Sequence, residues 1–505
     1  MKKSFLNLAT IALLACAGLI QNASAADIVK RPEELKFPPL DYHPPNPADY
    51  RVQLKSGPVA YVIPDRTLPL VNISVLVRVG TYVEPAGKEG LAPLTGDLLA
   101  RGGTKEFTAE ALEEKLAFLA AQLNSSIGAT EGSVSLNLLS KDLDEGLKIL
   151  RGVLAEPRFQ DDKVALRKEQ MLQEMRQRND QSEDIESREY SILRHGENFF
   201  ENHFPTKASV DSITREDMEN FHRKWFHPDD FVLAVSGDFD REEMIGKLEK
   251  LFGDWPYQGE KPPAIPTNTE LAKPGVYIVD KDVNQGRVTI QLPGIMRDSP
   301  DYFAAQVMND ILGGGGFTSH IMSKVRSDEG LAYAAYSSFP GGIYYPATFT
   351  AEFQSKSRTV TYAASIVLQE MKKMMEKPPT AQELAISKHG YVDRFPHRFG
   401  TKAATAGIFA QDEFTGQYAK DPNYWKDYRS RIEAVTADDI ERVAKKYLNP
   451  DRAVILIVGN KGDISMKMPD HPVALQELTS GPVTELPLRD PLTMKPMAGI
   501  DPKAR

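Results

Sequence analysis

The chain has 505 residues, of which 41% are hydrophobic and 26% charged, with a formal net charge of −9. That length is enough for two or more cores, and an acidic balance without a basic tract excludes nucleic acid and anionic membrane as main partners. The one cysteine, Cys16, excludes a disulfide framework, so packing has to hold the fold together.

Residues 1–25 read as an export signal: Lys2 and Lys3, an apolar run from Phe5 to Ile20, and the small-residue site Ala23-Ser24-Ala25 before Ala26. Cleavage there takes the net charge from −9 to −11, because Lys2 and Lys3 are the only charges in the segment. A second reading, Leu13-Leu14-Ala15-Cys16 as a lipid-attachment box, is disfavoured because Ala17 to Ile20 continues the apolar core. No later run approaches the roughly 18 apolar residues of a transmembrane helix.

Residues 26–47 are rich in proline and predict an extended arm. Val59–Ile63 and Val71–Val79, with Pro64-Asp65 between them, predict two strands. A second proline-rich stretch, 257–273, reads as a linker between domains over 48–256 and 274–473, with a tail at 474–505. The two sides repeat one another. Thr214 to Gly237 aligns without a gap on Thr436 to Gly459 at an offset of 222, with identities at Asp217/Asp439, Glu219/Glu441, Lys224/Lys446, Pro228/Pro450 and Asp229/Asp451. Each copy starts with a Thr cap, runs as an amphipathic helix, turns at Pro-Asp and enters an apolar strand. The fold class expected is α+β: two duplicated domains of about 220 residues, each a mostly antiparallel sheet with helices over it.

Beyond the linker, Ser299-Pro300 can open a helix carrying Phe303, Val307, Met308, Ile311 and Leu312, and Gly313, Gly314, Gly315 and Gly316 are read as its end. Thr318 is the expected cap of a short helix with Ile321, Met322 and Val325, and Gly330 stops it before a strand over Leu331–Phe339. Arg326 then lies at a helix end, with Tyr333 on the next strand. As ordinary surface groups, Arg326 would pair with Asp328 or Glu329, and Tyr333 would be a half-buried strand aromatic.

The run LGGGGF, followed by Arg326 and Gly330-Leu331-Ala332-Tyr333, resembles the second half of the pitrilysin-like M16 zinc peptidases, in which such a segment supplies an Arg and a Tyr to the active site. The resemblance implies the M16/LuxS-like fold, a catalytic role for Arg326 and Tyr333, and substrate contacts for Gly313 to Gly316 and Phe317. In the family's first half, a G-L-A-H-x-x-E-H segment places two zinc-binding His one helical turn apart around a catalytic Glu, and a third ligand follows 76 residues on. The matching segment is Gly90-Leu91-Ala92-Pro93-Leu94-Thr95-Gly96-Asp97, with Pro93 and Asp97 at the His positions, Gly96 at the Glu position and Glu174 at the third. No imidazole remains, and neither His222/His227 nor His195/His203 offers a substitute pair.

The chain therefore resembles the metal-free member of paired bacterial M16 proteins. The implied function is that of a periplasmic subunit supplying Arg326 and Tyr333 to peptide hydrolysis at a partner's zinc, the partner bearing H-x-x-E-H and the substrate being an unfolded peptide. This chain would hold no cofactor itself and be inactive alone. The alternative is a scaffold or peptide-binding subunit with the same fold.

Overall fold

The structure, a computed structural model, describes residues 31, 35 and 41–497. The export signal, Cys16 and most of the expected arm lie outside the described residues. In the first half, alternation builds the sheet: Val71, Ile73, Val75 and Val77 are buried on one face of a strand whose other side is half-exposed. Six strands assemble there: β1 (Arg51–Gln53), β2 (Val59–Pro64), β3 (Leu70–Val77), β4 (Gln122–Ile127), β5 (Gly132–Leu139) and β6 (Phe231–Gly237). Their order is β1-β2-β6-β3-β5-β4, leaving β4 at an edge.

The second half contributes β7 (Gly275–Asp280), β8 (Gln285–Pro293), the two-residue β9 (Ile295–Met296), β10 (Ala332–Ser338), the two-residue β11 (Gly341–Gly342), β12 (Thr348–Lys356), β13 (Val454–Gly459) and β14 (Val483–Leu486). Its sheet runs β14-β7-β13-β8-β12-β10, the same order as the first, with β10 at the edge equivalent to β4. In each, one inner pair is parallel (β2 with β6, β7 with β13) and the following pairs are antiparallel. Only the outermost strands differ, β1 being antiparallel to β2 and β14 parallel to β7.

The repeat read from sequence occupies equivalent places in the two halves. Helices Arg215–Trp225 and Ala437–Tyr447 both start with reciprocal capping boxes, Thr214 with Asp217 and Thr436 with Asp439. Each leads through a proline turn into the central strand, β6 or β13.

The halves also exchange helices. Helix Ser182–His195 lies on β8 and β13 of the second sheet, where Ile185 and Leu193 pack with Val279, Val454, Leu456 and Val458. Helix Lys402–Phe414 lies on β2 and β6 of the first. There Glu413 receives two bonds from Arg51, at 2.9 and 2.8 Å, and one from the buried Tyr61 hydroxyl at 2.9 Å.

β14 lies inside the stretch assigned to a tail from sequence, and the residues after it cross to the first half. The Leu492 carbonyl accepts from the Lys207 amide at 2.7 Å, and the Arg489 carbonyl accepts from Asn179 at 2.8 Å. The Arg489 guanidinium lies 3.3 Å from the buried carboxylate of Glu189 and 2.7 Å from that of Glu197.

Candidate functional site

The glycine run ends the preceding helix, as the sequence reading has it, but through one widened turn. Helix Tyr302–Asn309 continues into a wider, π-type turn over Asp310–Gly314, closed by the Gly315 amide on the Asp310 carbonyl at 2.7 Å. A Cβ at Gly313 would lie 2.4 Å from Ser337 Oγ and 2.7 Å from Ser337 N, so this glycine lets the turn press against β10. Gly316 alone of the four takes positive φ, +74°. Thr318 belongs to the turn that follows, and Ser319, in extended conformation, precedes the next helix in its place. That helix begins at His320–Met322 and widens over Ser323–Asp328, bringing Arg326 to its last turn; Gly330, at φ +62°, ends it.

Arg326 and Tyr333 are brought together, and Phe317 joins them. The guanidinium carbon stands 4.6 Å from the centre of the Tyr333 ring and 4.7 Å from that of Phe317. Both rings are exposed, Tyr333 at 84% and Phe317 at 67%. Among the described residues no carboxylate lies within ion-pair distance of Arg326, and Asp328 is taken by Lys324. The cation is thus oriented by aromatic faces while its N–H donors stay available.

The strand carrying Tyr333 is irregular. Between Ala332, opposite Ser355, and Ala335, opposite Phe353, β10 holds one residue more than β12, a β-bulge. Residues three apart on a regular strand point to opposite faces; across the bulge Tyr333 and Tyr336 are both exposed. Tyr336 donates to Glu352 at 2.9 Å, and burial together with that carboxylate pushes its phenol up to about 12. Arg326, Tyr333, Tyr336, Arg287, Glu186 and Glu352 are among the residues lining a groove of about 520 Å³ over β10, β12 and β8. Burial raises the Glu186 carboxyl above its usual range against the hydrogen bond from Thr289, 2.7 Å, and the charge of Arg287. Of these, sequence reasoning missed Tyr336, Arg287, Glu186 and Glu352, and Glu186 arrives from the other half of the chain.

In the first half, Pro93, Gly96 and Asp97 lie on helix Leu91–Arg101. Pro93 falls in the first turn, where a backbone N–H has no intrahelical acceptor to lose. Glu84 closes that end, accepting from the Gly90 and Ala92 amides at 3.1 and 2.6 Å, and burial pushes its carboxyl up to about 7. Gly96 packs against β4: a Cβ there would be 2.3 Å from Ile127 N. Asp97 Oδ2 receives Arg167 Nε at 2.5 Å, and Arg167 Nη1 reaches Glu174 Oε1 at 2.8 Å.

Two family models match. Residues 61–197 match the insulinase, or peptidase family M16, domain, and residues 212–391 match the peptidase M16 inactive domain, together more than half of the chain. The chain belongs to the peptidase M16 family.

Similar M16 proteins include a Helicobacter pylori relative called non-peptidase homolog YmxG, 26% identical over 78% of this chain and 90% of that one. An uncharacterized zinc protease of Rickettsia bellii is 24% identical over 61% of this chain and 75% of its own length. Among solved structures, a peptidase M16 inactive domain from Pseudomonas fluorescens superposes with a TM-score of 0.72 at 22% identity, covering 81% of this chain and 98% of that one. The periplasmic protease PqqL of Escherichia coli gives 0.69 at 14% identity, over 85% of this chain and 47% of its own. These likenesses establish the fold.

The residues at the M16 zinc positions do not fit a zinc ion. Pro93 has no donor, Gly96 has no room for a general base, and the carboxylates of Asp97 and Glu174 already share a guanidinium. Among the described residues no group of three or more His, Cys, Asp or Glu could hold a metal. Two of the histidines weighed from sequence have structural contacts: His222 is buried, bonded to the Leu154 carbonyl at 2.9 Å and pushed down to about 4 by burial. His227 lies 2.9 Å from Asp230, whose hydrogen bond raises its pKa.

Proposed function

We propose that this chain is the metal-free subunit of a periplasmic, heterodimeric M16 metallopeptidase. A zinc-bearing partner with H-x-x-E-H carries the metal chemistry, and Arg326 and Tyr333 bind an unfolded peptide and the charge that develops on its scissile carbonyl. The observation that carries this reading is the aromatic clamp on Arg326. A guanidinium left without a carboxylate, fixed between exposed rings beside a groove, is arranged to donate to something that arrives from solution. β10 is the last strand of its sheet, and its Tyr333 end, away from the turn that covers Ser337, suits an extended peptide that pairs its backbone there.

Periplasmic location is supported by the export-like residues 1–25 and by the likeness to a protease named periplasmic. No helix among the described residues is long and apolar enough to cross a membrane. The domain limits proposed are those of the sequence reading, 48–256 and 274–473. A second reading, a scaffold or peptide-binding subunit, is favoured by Pro93 and Gly96 at the M16 zinc-motif positions and by a relative named a non-peptidase homolog.

The test is reconstitution with the zinc-bearing partner, with assembly confirmed by chromatography and kcat and KM measured on an unstructured peptide. Tyr333→Phe, which keeps the ring and removes the hydroxyl, and Arg326→Ala are each expected to lower kcat about ten- to a thousandfold, because each loses a donor to developing charge. Wild-type turnover from both variants in assembled complexes would establish the scaffold instead.

A further inference from the structure

The zinc positions of the first half are changed in a specific way. Of the groups that would bind metal, two carboxylates remain, on separate helices: Asp97 on Leu91–Arg101 and Glu174 on Asp161–Arg176. Arg167, two turns before Glu174, reaches both. Its side chain is 20% exposed and that of Asp97 30%, while that of Glu174 is 63% exposed, so the contact is sheltered at Asp97 and open at Glu174; Arg167 and Asp97 line a groove of about 630 Å³ beside β4. An ion can therefore reach the site from solution.

We propose that Arg167 is the resident cation of this half-site: its guanidinium takes the place of a divalent metal between Asp97 and Glu174, tying the two helices and closing the position to metal ions. The chemistry of the donors supports the exchange. Two carboxylates from different elements need a positive charge between them, and a planar fork with two N–H groups in use supplies it without a coordination sphere. A guanidinium also keeps its charge at every pH the fold survives, so no shift in acidity opens the site. Loss of imidazoles weakens a metal site; a built-in cation blocks it. This inference does not depend on the role of Arg326 or Tyr333.

It predicts a gain of function. With Arg167 neutralised, Asp97 and Glu174 carry two uncompensated negative charges, and oxygen donors of this kind suit a hard divalent ion such as Mn²⁺. The experiment measures Mn²⁺ binding by electron paramagnetic resonance on the full mature chain, for wild type, Arg167→Gln, Arg167→Met and Arg167→Lys. The two neutral variants are expected to take up one Mn²⁺ at least tenfold more tightly than wild type, and Asp97→Asn added to either should abolish the gain. Arg167→Lys, which keeps a cation, should stay like wild type. Arg167→Gln, polar and of similar reach, guards against a Met variant that does not fold. Folded neutral variants that bind Mn²⁺ no better than wild type would overturn the proposal. So would a Lys variant that binds as they do, since the charge would then not be the block.

Discussion

If the clamp on Arg326 prepares it for substrate, then removing one ring should loosen the cation without removing any donor. Phe317→Ala does this. A cation–π contact at an exposed site is worth about 0.5–1 kcal/mol, and Phe317 and Tyr333 are both mostly exposed, so the low range applies. Lost as preorganisation, that energy lowers kcat/KM of the reconstituted complex about two- to fivefold, since 1.36 kcal/mol is a factor of ten. Phe317→Tyr keeps the aromatic face and should remain near wild type. The decisive measurement is the double variant. If Phe317 acts through Arg326, then Phe317→Ala should cost almost nothing further once Arg326 is already Ala, a coupling as large as the single effect. An undiminished effect in the Arg326→Ala background would mean that Phe317 touches substrate directly, and no effect in either background would refute the clamp.

Three other outcomes are expected from the structure. Gly96→Ala should destabilise the chain by about 1–3 kcal/mol in urea titration despite alanine's better helix propensity, because the added methyl meets backbone of β4 at 2.3 Å. Asp301 accepts from Arg442, Lys446 and Tyr447; burial opposes its charge, but the bonds from Lys446, Arg442 and Tyr447 prevail and hold its carboxyl well below the usual range. Its contribution is therefore complete above the unfolded carboxylate pKa of about 3.9 and lost as pH falls through the lower folded value, so Asp301→Asn should flatten the acid limb of a stability-against-pH curve. Arg489→Met should cost about 1–3 kcal/mol, since Glu189 keeps Arg188 but loses its second cation, and should speed hydrogen exchange in residues 488–497.

What the sequence disclosed was chemistry that is local. The capping boxes at Thr214 and Thr436, the proline turns and the apolar strands after them are each set within a few residues, and the duplication could be read from them. The placing of Arg326 at a helix end and Tyr333 on the next strand was also legible from the pattern, while their meeting was implied by the M16 resemblance. The glycine run was legible as a helix end but not as a close contact, because both ask for the same residue; the approach of Ser337 to Gly313 shows that it is also the second. The bulge in β10 left one trace, two tyrosines at odd spacing that are both exposed. Arg167 left none, since its pairing with Asp97 depends on two helices 70 positions apart in sequence coming together. β14 was missed because four residues between Pro482 and Pro487 carry too little pattern to announce a strand.

The exchange of helices makes the half without metal chemistry a structural part of both sheets. Pro93, Gly96 and Asp97 lie on a helix whose buried residues Leu91, Leu94, Leu98 and Leu99 fill the first core, so its packing does not depend on metal ligands. Helix Ser182–His195 belongs to the first half, yet Ile185 and Leu193 complete the core under β13, and Glu186 forms part of the wall of the groove beside Arg326. In return, Glu413 of the second half holds Arg51 and the buried Tyr61. Each sheet is therefore finished by the other half, and the surface that presents Arg326 and Tyr333 is a product of both. A chain reduced to its second half would expose Val454, Leu456 and Val458 where Ile185 and Leu193 now cover them, and would lose one side of the groove. The first half thus supplies one wall of the groove beside Arg326 and part of the core beneath the second sheet.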